Sequence, residues 1–179
     1  MTPREQEEYR ALRATIRERG STRVWVFTFG MASWAALVIA MVALTLPPAA
    51  TFVSLVALAA TFEAVLALHA SVERVGRYLL VFHTDAWERT AGAFGRPRGA
   101  LVVDPLFSGL FLLATIVNLL PLVPSAPIVQ EVVILGLAHA AFAARVIVAR
   151  TLAGRQRAID TARFEELKSK SNHQGHQEH

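Results

Sequence analysis

The amino-acid sequence predicts an all-α, polytopic membrane protein: four transmembrane helices in an antiparallel bundle, with cytoplasmic helical extensions and both termini in the cytoplasm. Three observations predict this fold class. Hydrophobic residues make up 54% of the chain and its mean hydropathy is +0.41, which exceeds the usual composition of a soluble domain. Four apolar segments approach or exceed the roughly 20 residues that cross the hydrocarbon of a bilayer. Basic residues are absent from the two short connections LPPAAT and PLVPSAP.

The distribution of positive charge predicts the orientation of the chain. All 18 Lys and Arg residues fall within residues 4–23, 74–98 and 145–170. Because Lys and Arg next to membrane segments are retained on the cytoplasmic side, both chain ends and the long central connection are predicted to be cytoplasmic, in the cell inner membrane. The first apolar segment is too long for the hydrophobic region of a usual secretory signal, so cleavage is not expected.

Several function classes lack the residues that they need. The chain has no cysteine, which excludes disulfides, thiolate zinc sites and cysteine nucleophiles. Its net charge of +4 comes without the groove-entering or base-stacking elements of a nucleic-acid-binding domain, so no nucleic-acid partner is expected. No P-loop, G-x-S-x-G, H-E-x-x-H or dinucleotide fingerprint occurs. The sequence therefore predicts a non-enzymatic protein without a metal or a cofactor.

Residues 1–21 are predicted to form a cytoplasmic amphipathic helix. Thr2 is its N-cap, Glu5 completes a capping box and Gly20 is its C-terminal stop. The apolar stripe of this helix fits either the anionic lipids of the inner leaflet or another cytoplasmic helix, and the sequence leaves both partners open. Residues 22–69 follow as the first transmembrane hairpin, with helices over residues 23–46 and 49–69.

Residues 70–104 are predicted to be a cytoplasmic helical extension followed by a return loop. Apolar residues recur at spacings of three and four along one seam of this extension: Val72, Val75, Leu79 and Phe82. Residues 105–149 are predicted to form the second transmembrane hairpin, with helices over residues 105–122 and 126–149. The helix over residues 105–122 is the shortest of the four predicted transmembrane helices. Residues 150–179 continue as a cytoplasmic basic helix, and the polar tail from Ser171 is expected to be disordered.

Polar residues inside the apolar segments are the candidate functional site, because they are costly in a membrane and need partners there. Glu63 lies 14 residues from the start of the second span and His139 lies 13 residues from the start of the fourth, and both spans run inward. Their similar depths predict a buried polar pair of Glu63 with His139. A second match of depth joins Glu131 to Asn118, and Arg145 is expected near the inner face.

Small residues repeat every four positions on two of the predicted spans, and this spacing indicates faces where helix backbones approach closely. These helix-packing positions are Ala32, Ala36 and Ala40 on the first span, and Gly136, Ala140 and Ala144 on the fourth. The pattern fits intramolecular packing and self-association equally well.

The leading hypothesis for function is a protein that acts by assembly, as a homo-oligomer or as an accessory, structural subunit of a larger membrane complex. An alternative is an oligomeric channel or proton-coupled transporter that uses Glu63 and His139. A third hypothesis, a haem-binding electron-transfer subunit, needs His69 and His139 as ligands, although their depths differ by about 10 Å. The predicted partners are the lipid bilayer, anionic inner-leaflet lipids and either further copies of the chain or other membrane subunits.

Overall fold

The computed structural model describes residues 2–83, 90 and 105–175. Its helices are α1 (Pro3–Ala43), α2 (Thr51–Phe82), α3 (Pro105–Val117) and α4 (Val129–Gly175). Short 3-10 turns at Pro48–Ala50 and Leu120–Leu122 lie in or beside the two proline-containing connections. Because no strand occurs in the described ranges, the predicted all-helical class is confirmed.

Three of the helices, α1, α2 and α4, are long and apolar enough to cross a membrane. By contrast, α3 has 13 residues, which at 1.5 Å per residue is about 20 Å and less than the roughly 30 Å of hydrocarbon. The apolar segment to which α3 belongs extends over Phe107–Leu122 and includes the second 3-10 turn. Pro121 stands in that turn and cannot continue an α-helix, which explains why the helix is shorter than the segment.

Two predicted helix ends are wrong. α1 passes through Gly20, the predicted stop, because one interior glycine costs only about 1 kcal/mol and an apolar helical segment follows it. α4 extends to Gly175, so the tail that was predicted to be disordered from Ser171 begins as helix. In this last part of α4, His173 Nδ1 donates to the Ser169 carbonyl at 2.7 Å and links successive turns.

The start of α1 carries the predicted capping box. The Thr2 backbone N–H donates to Glu5 Oε2 at 2.7 Å, and the Glu5 backbone N–H donates to Thr2 Oγ1 at 3.3 Å. These reciprocal bonds satisfy N–H groups that the first turn of a helix leaves without partners. Farther along the chain, α2 runs through Gly76 without a break.

Contacts between helices divide the chain into two compact units. The apolar unit comprises Arg23–Ala67 and Val103–Arg150, and the charged unit comprises Met1–Thr22, Leu68–Val102 and Thr151–His179. α1, α2 and α4 each contribute residues to both units. On α1 and α4 the unit boundary falls at a basic residue, Arg23 or Arg150, so the division follows the change from apolar to charged sequence.

The apolar unit has a core to which all four helices contribute. Its buried side chains are Trp34, Val38 and Met41 of α1, Leu55, Leu58 and Phe62 of α2, Phe111 and Ala114 of α3, and Phe142, Val146 and Ala149 of α4. The ring of Phe62 packs edge to face on Phe111, with centroids 5.1 Å apart, and on Phe142, with centroids 5.9 Å apart. This packing determines the rotation of each helix, and therefore which polar residues face one another.

The charged unit packs around Leu79 of α2, which is fully buried. Tyr9 of α1 contacts the ring of the buried His83, with centroids 5.6 Å apart, and Phe164 of α4 contacts Tyr78 at 5.8 Å. Parts of α1, α2 and α4 therefore meet in this unit. Besides Leu79, the residues of the predicted seam are partly buried: Val72, Val75 and Phe82.

Candidate functional site

Asn118 is the centre of a buried hydrogen-bond network in the apolar unit. It follows α3 directly and has no exposed surface. Its Oδ1 accepts from Trp34 Nε1 at 2.9 Å, and its Nδ2 donates to the Thr51 carbonyl at 3.2 Å. The same Nδ2 lies 2.9 Å from Nε2 of His139. One side-chain amide therefore joins α1, α2 and α4 to the end of α3.

The partners of Asn118 determine both its amide orientation and the tautomer of His139. An indole N–H can only donate and a carbonyl can only accept, so Oδ1 faces Trp34 and Nδ2 faces Thr51. His139 Nδ1 lies 2.7 Å from the Leu135 carbonyl and donates to it. Nε2 is then the nitrogen that accepts from Asn118, as in a neutral imidazole. Every donor in this network has an acceptor, and the network is closed.

The predicted pair of Glu63 with His139 does not form. Instead, Glu63 Oε2 accepts from Arg145 Nη2 at 2.8 Å, and both side chains are about half exposed. The guanidinium of Arg145 also lies over the Phe62 ring, 5.8 Å from its centroid, where the face of the ring attracts the cation. Arg145, which was expected near the inner face, is thus the partner of the carboxylate inside the second span.

The levels at which α2 and α4 begin explain this difference. The prediction counted depth as if the second and fourth spans started at the same level. In the structure Thr51, the first residue of α2, shares the Asn118 amide with His139, which lies ten residues into α4. Because α2 starts deeper than α4, Glu63 lies beyond the level of His139 and reaches Arg145.

The predicted approach of Glu131 to Asn118 does not occur either. Glu131 lies in the first turn of α4, and its Oε2 accepts from the backbone N–H of Ile128 at 3.1 Å. A carboxylate at this position is favoured by the positive end of the helix dipole and satisfies a backbone donor. Glu131 therefore caps α4, while Asn118 belongs to the buried network.

Both predicted small-residue faces lie on the surface of the apolar unit. Their members are all exposed: Ala32, Ala36 and Ala40 of α1, and Gly136, Ala140 and Ala144 of α4. A Cβ added at Gly136 would meet no atom within 4 Å. A close approach occurs instead at Gly30, where a Cβ would lie 2.8 Å from Thr61 Cβ. Among the described residues, neither predicted face is a seam of packing within the chain.

The charged unit contains an ion-pair network that joins α2 to α4, and its contacts between the two helices were not predicted from the sequence. Glu73 pairs with Arg157 at 2.5 Å and with His69 at 3.3 Å. Arg77 donates to Asp160 at 2.8 Å and lies 3.5 Å from Glu73. The partners within α2 are four residues apart, and this spacing on one helix face is visible in the sequence. The partners on α4 are 83 or 84 residues away. Their approach depends on helix rotation, which one sequence does not specify.

We expect the pairing of Glu73 to make the folded protein less stable in acid. Burial alone would raise the pKa of Glu73, but hydrogen bonds and positive charge from His69 and Arg157 outweigh it and lower the pKa from 4.5 to about 2. A depressed carboxyl pKa stabilises the folded state fully above pH 4.5, and this contribution is lost as the pH falls toward 2. With solvent screening included, the expected loss in the free energy of unfolding is about 1–2 kcal/mol.

Unfolding of the detergent-solubilised protein above and below pH 4.5 measures this effect. Glu73→Gln is expected to lack this part of the pH dependence, because its amide does not titrate. Glu165→Gln changes an exposed residue of α4 in the same unit and is expected to retain it. Identical pH dependence in the wild type and Glu73→Gln would contradict the prediction.

Polar side chains of the two units thus connect different helices at Asn118, at Glu63 and at Glu73. The chain matches no protein-family model, no curated protein and no solved structure. Its function is therefore inferred from the arrangement of its own residues.

Proposed function

We propose that the chain is an integral protein of the cell inner membrane that crosses the bilayer four times, with both termini in the cytoplasm. The contact of Tyr78 with Phe164 supports this topology, because it joins the C-terminal parts of α2 and α4 on one side of the membrane. Both helices then start on the other side, so the chain must cross once more between them. The apolar segment Phe107–Leu122 is available for this crossing. The basic residues near these helix ends support the cytoplasm as the shared side.

Residues near the charged end of the apolar unit support contact with the headgroup region of the bilayer. Trp25 and Phe29 are exposed on α1 and their rings stack at 5.5 Å, just beyond Arg23. Tryptophan is enriched at the membrane–water interface, where its amphipathic ring fits the headgroup region. Exposed basic side chains of the charged unit, such as Arg74, attract anionic headgroups. The bilayer and its anionic inner-leaflet lipids are therefore the first partners in this proposal.

The protein in this proposal is non-enzymatic and acts by assembly, as a homo-oligomer or as an accessory, structural subunit of a larger membrane complex. The observation that carries the proposal is the closed network at Asn118, in which one amide joins four helices and every donor is bonded within the protein. Among the described residues, the buried side-chain polar atom without a hydrogen-bond partner is Arg77 Nε, which lies in the charged unit. The outer faces of the apolar unit then remain for contact with other membrane helices.

The two other hypotheses have less support from the geometry. A proton route needs polar groups that can exchange partners. However, both ring nitrogens of His139 are hydrogen-bonded, and Glu63 is paired with Arg145 instead. Coordination of haem iron needs a ring nitrogen from each ligand. Both ring nitrogens of His139 are already hydrogen-bonded. Nε2 of His69 lies 3.3 Å from Glu73 and is therefore also in contact with another group.

Purification in mild detergent, followed by flux measurements, tests the proposed function. Light scattering is expected to give a mass larger than one chain, or other membrane subunits are expected to co-purify. Liposomes that contain the wild type, Glu63→Gln or the exposed control Glu165→Gln are all expected to pass protons no faster than empty liposomes. A proton flux that Glu63→Gln abolishes and Glu165→Gln retains, with assembly intact, would overturn the proposal. A single copy without co-purifying proteins would also overturn it.

A further inference from the structure

The ion pair of Glu63 with Arg145 lies on the outer surface of the apolar unit. The side chain of Glu63 is 49% exposed and that of Arg145 is 42% exposed. Charged residues inside membrane segments usually face the interior of the bundle instead, because contact with hydrocarbon is costly. In the proposed topology the outer surface of this unit contacts lipid. The pair therefore indicates contact with a polar group from outside the chain.

The pair lies close to the charged end of the apolar unit. The part of α2 in this unit ends at Ala67 and the part of α4 ends at Arg150. Glu63 and Arg145 are four and five residues from these ends, which is about 6–8 Å along the helix axes. Trp25 of α1 is exposed near the same end, as is typical of the level of the headgroups. The polar group within reach of the pair is therefore a phospholipid headgroup.

The chain holds the guanidinium of Arg145 in place from two sides. Its Nη2 donates to Glu63 Oε2 at 2.8 Å, and the guanidinium lies over the ring of Phe62. Phe62 is buried and its ring packs on those of Phe111 and Phe142, so it is a firm support. The hydrogen bond uses one of the five N–H groups of the guanidinium and one of the two carboxylate oxygens. Donors of Arg145 and an acceptor of Glu63 therefore remain side by side on an exposed surface.

The surface around the pair has a polar part and an apolar part, as a phospholipid does. One helical turn from the pair, on the same faces of α2 and α4, the side chains are small and exposed: Ala60, Ala67 and Ala141. They leave both charges accessible to a headgroup. Farther from the charged end, Val56 lies two turns from Glu63 and Ile134 lies three turns from Arg145, and both are exposed. These two side chains are placed to contact the acyl chains of the same lipid.

The two charges of the pair distinguish between headgroups. The guanidinium of Arg145 fits the phosphate that every phospholipid carries, because its planar N–H groups bind phosphate oxygens. The carboxylate of Glu63 disfavours a headgroup of net negative charge and accepts hydrogen bonds from an ammonium. A primary ammonium has three N–H donors, whereas the quaternary ammonium of choline has none.

We propose that Glu63 and Arg145 bind the headgroup of a zwitterionic inner-leaflet phospholipid that carries a primary ammonium. The phosphate lies on Arg145 and the ammonium lies on Glu63. In an ethanolamine headgroup only two carbons separate the phosphate ester oxygen from the ammonium, so one headgroup reaches both neighbouring side chains. This inference rests on the proposed function, because the proposed topology brings this end of the apolar unit to the inner leaflet.

Native mass spectrometry of the full chain in mild detergent tests the site. Three lipids with the same acyl chains are added in turn: phosphatidylethanolamine, phosphatidylcholine and phosphatidylglycerol. Phosphatidylethanolamine is expected to bind about tenfold more tightly than either of the others, because it alone brings a primary ammonium to the carboxylate. Equal affinities for the three lipids, or the highest affinity for phosphatidylglycerol, would overturn the proposal.

Glu63→Gln assigns the headgroup preference to this ion pair. The variant is expected to bind ethanolamine and choline headgroups equally and to gain affinity for phosphatidylglycerol, because the charge of Arg145 is no longer balanced. Glu166→Gln is the matched control, since Glu166 also pairs with a basic residue, Lys170, but lies in the charged unit. It is expected to keep the wild-type order of affinities. A wild-type order in Glu63→Gln would overturn the assignment.

Arg145→Gln is a second variant, and it removes the group proposed to hold the phosphate. Its affinity for all three lipids is expected to fall by about tenfold, and an unchanged affinity for phosphatidylethanolamine would overturn the site. Circular dichroism with unchanged helix content shows that each variant is folded. An assembled protein without a headgroup preference would overturn the site alone. A single copy that keeps the preference would overturn the proposed assembly and leave the site standing.

Discussion

Asn118→Leu is expected to lower the free energy of unfolding by about 2–4 kcal/mol, through lost interhelical hydrogen bonds and buried polar atoms without partners. Leucine has the same number and branching of side-chain heavy atoms as asparagine, so the effect does not come from a large cavity. Trp34 Nε1 and His139 Nε2 would both lose the amide that they bond in the wild type. Because the amide joins the end of α3 to three other helices, its loss is expected to weaken the whole apolar unit. Thermal or denaturant unfolding in detergent measures the change.

Thr115→Val is the matched control for Asn118→Leu. Thr115 is also buried and belongs to α3, but its Oγ1 donates to the Phe111 carbonyl in the same helix at 2.7 Å. Valine has nearly the same shape, and we expect a loss below about 1 kcal/mol because the carbonyl keeps its helical partner. A loss for Asn118→Leu that is no larger than the loss for Thr115→Val would show that the network does not hold the helices together.

Gly30→Ala is expected to cost about 1–3 kcal/mol, because the new methyl group would overlap Thr61 on α2. Its Cβ would lie 2.8 Å from Thr61 Cβ and closer still to Thr61 Oγ1 and Cγ2. Thr61 has little freedom to turn away, since it is β-branched and its Oγ1 donates to the Ala57 carbonyl at 2.8 Å. Alanine is the better helix former by about 1 kcal/mol, so a net loss identifies the overlap. Unfolding in detergent again gives the measurement.

Gly109→Ala is the control for this substitution. A Cβ at Gly109 of α3 would meet no atom within 4 Å, so its higher helix propensity is expected to stabilise the protein by up to about 1 kcal/mol. Thr61→Ala in the Gly30→Ala background removes two of the overlapping atoms and is expected to recover part of the loss. If the two substitutions instead cost their simple sum, Gly30 and Thr61 are not in contact.

Long apolar helices could be predicted from the sequence because length and composition are local properties. The apolar segments on either side of LPPAAT, and the last one, each fall mostly within a helix long enough to cross a membrane. The capping box at Thr2 is equally local. Gly20 shows the limit of such signals: an isolated helix would have ended there, but the apolar residues that follow it continue the helix. The helix propensities of neighbouring segments together determine where a helix ends. A short motif such as a single glycine carries no information about those neighbouring segments.

The partners of the polar residues could not be predicted by counting depth. Glu63 was singled out as a residue that needs a partner, but its partner depends on where α2 begins and how α4 is rotated. Neither quantity is present in the spacing of Glu63, His139 or Arg145. Trp34 and Thr51 were missed for the same reason, because they are 84 and 67 residues from Asn118. Joint changes at these positions across related sequences would be the signal that reveals such contacts.

The place of Asn118 in the chain also has a consequence for biogenesis. Its amide follows α3, while His139 belongs to α4, which the ribosome makes after the other three helices. The network can therefore close only after α4 has been synthesised and, in the proposed topology, inserted into the membrane. Until then, the amide and the Trp34 indole lack part of their native environment, so insertion of α4 is expected to be the step that commits the nascent chain to its final packing.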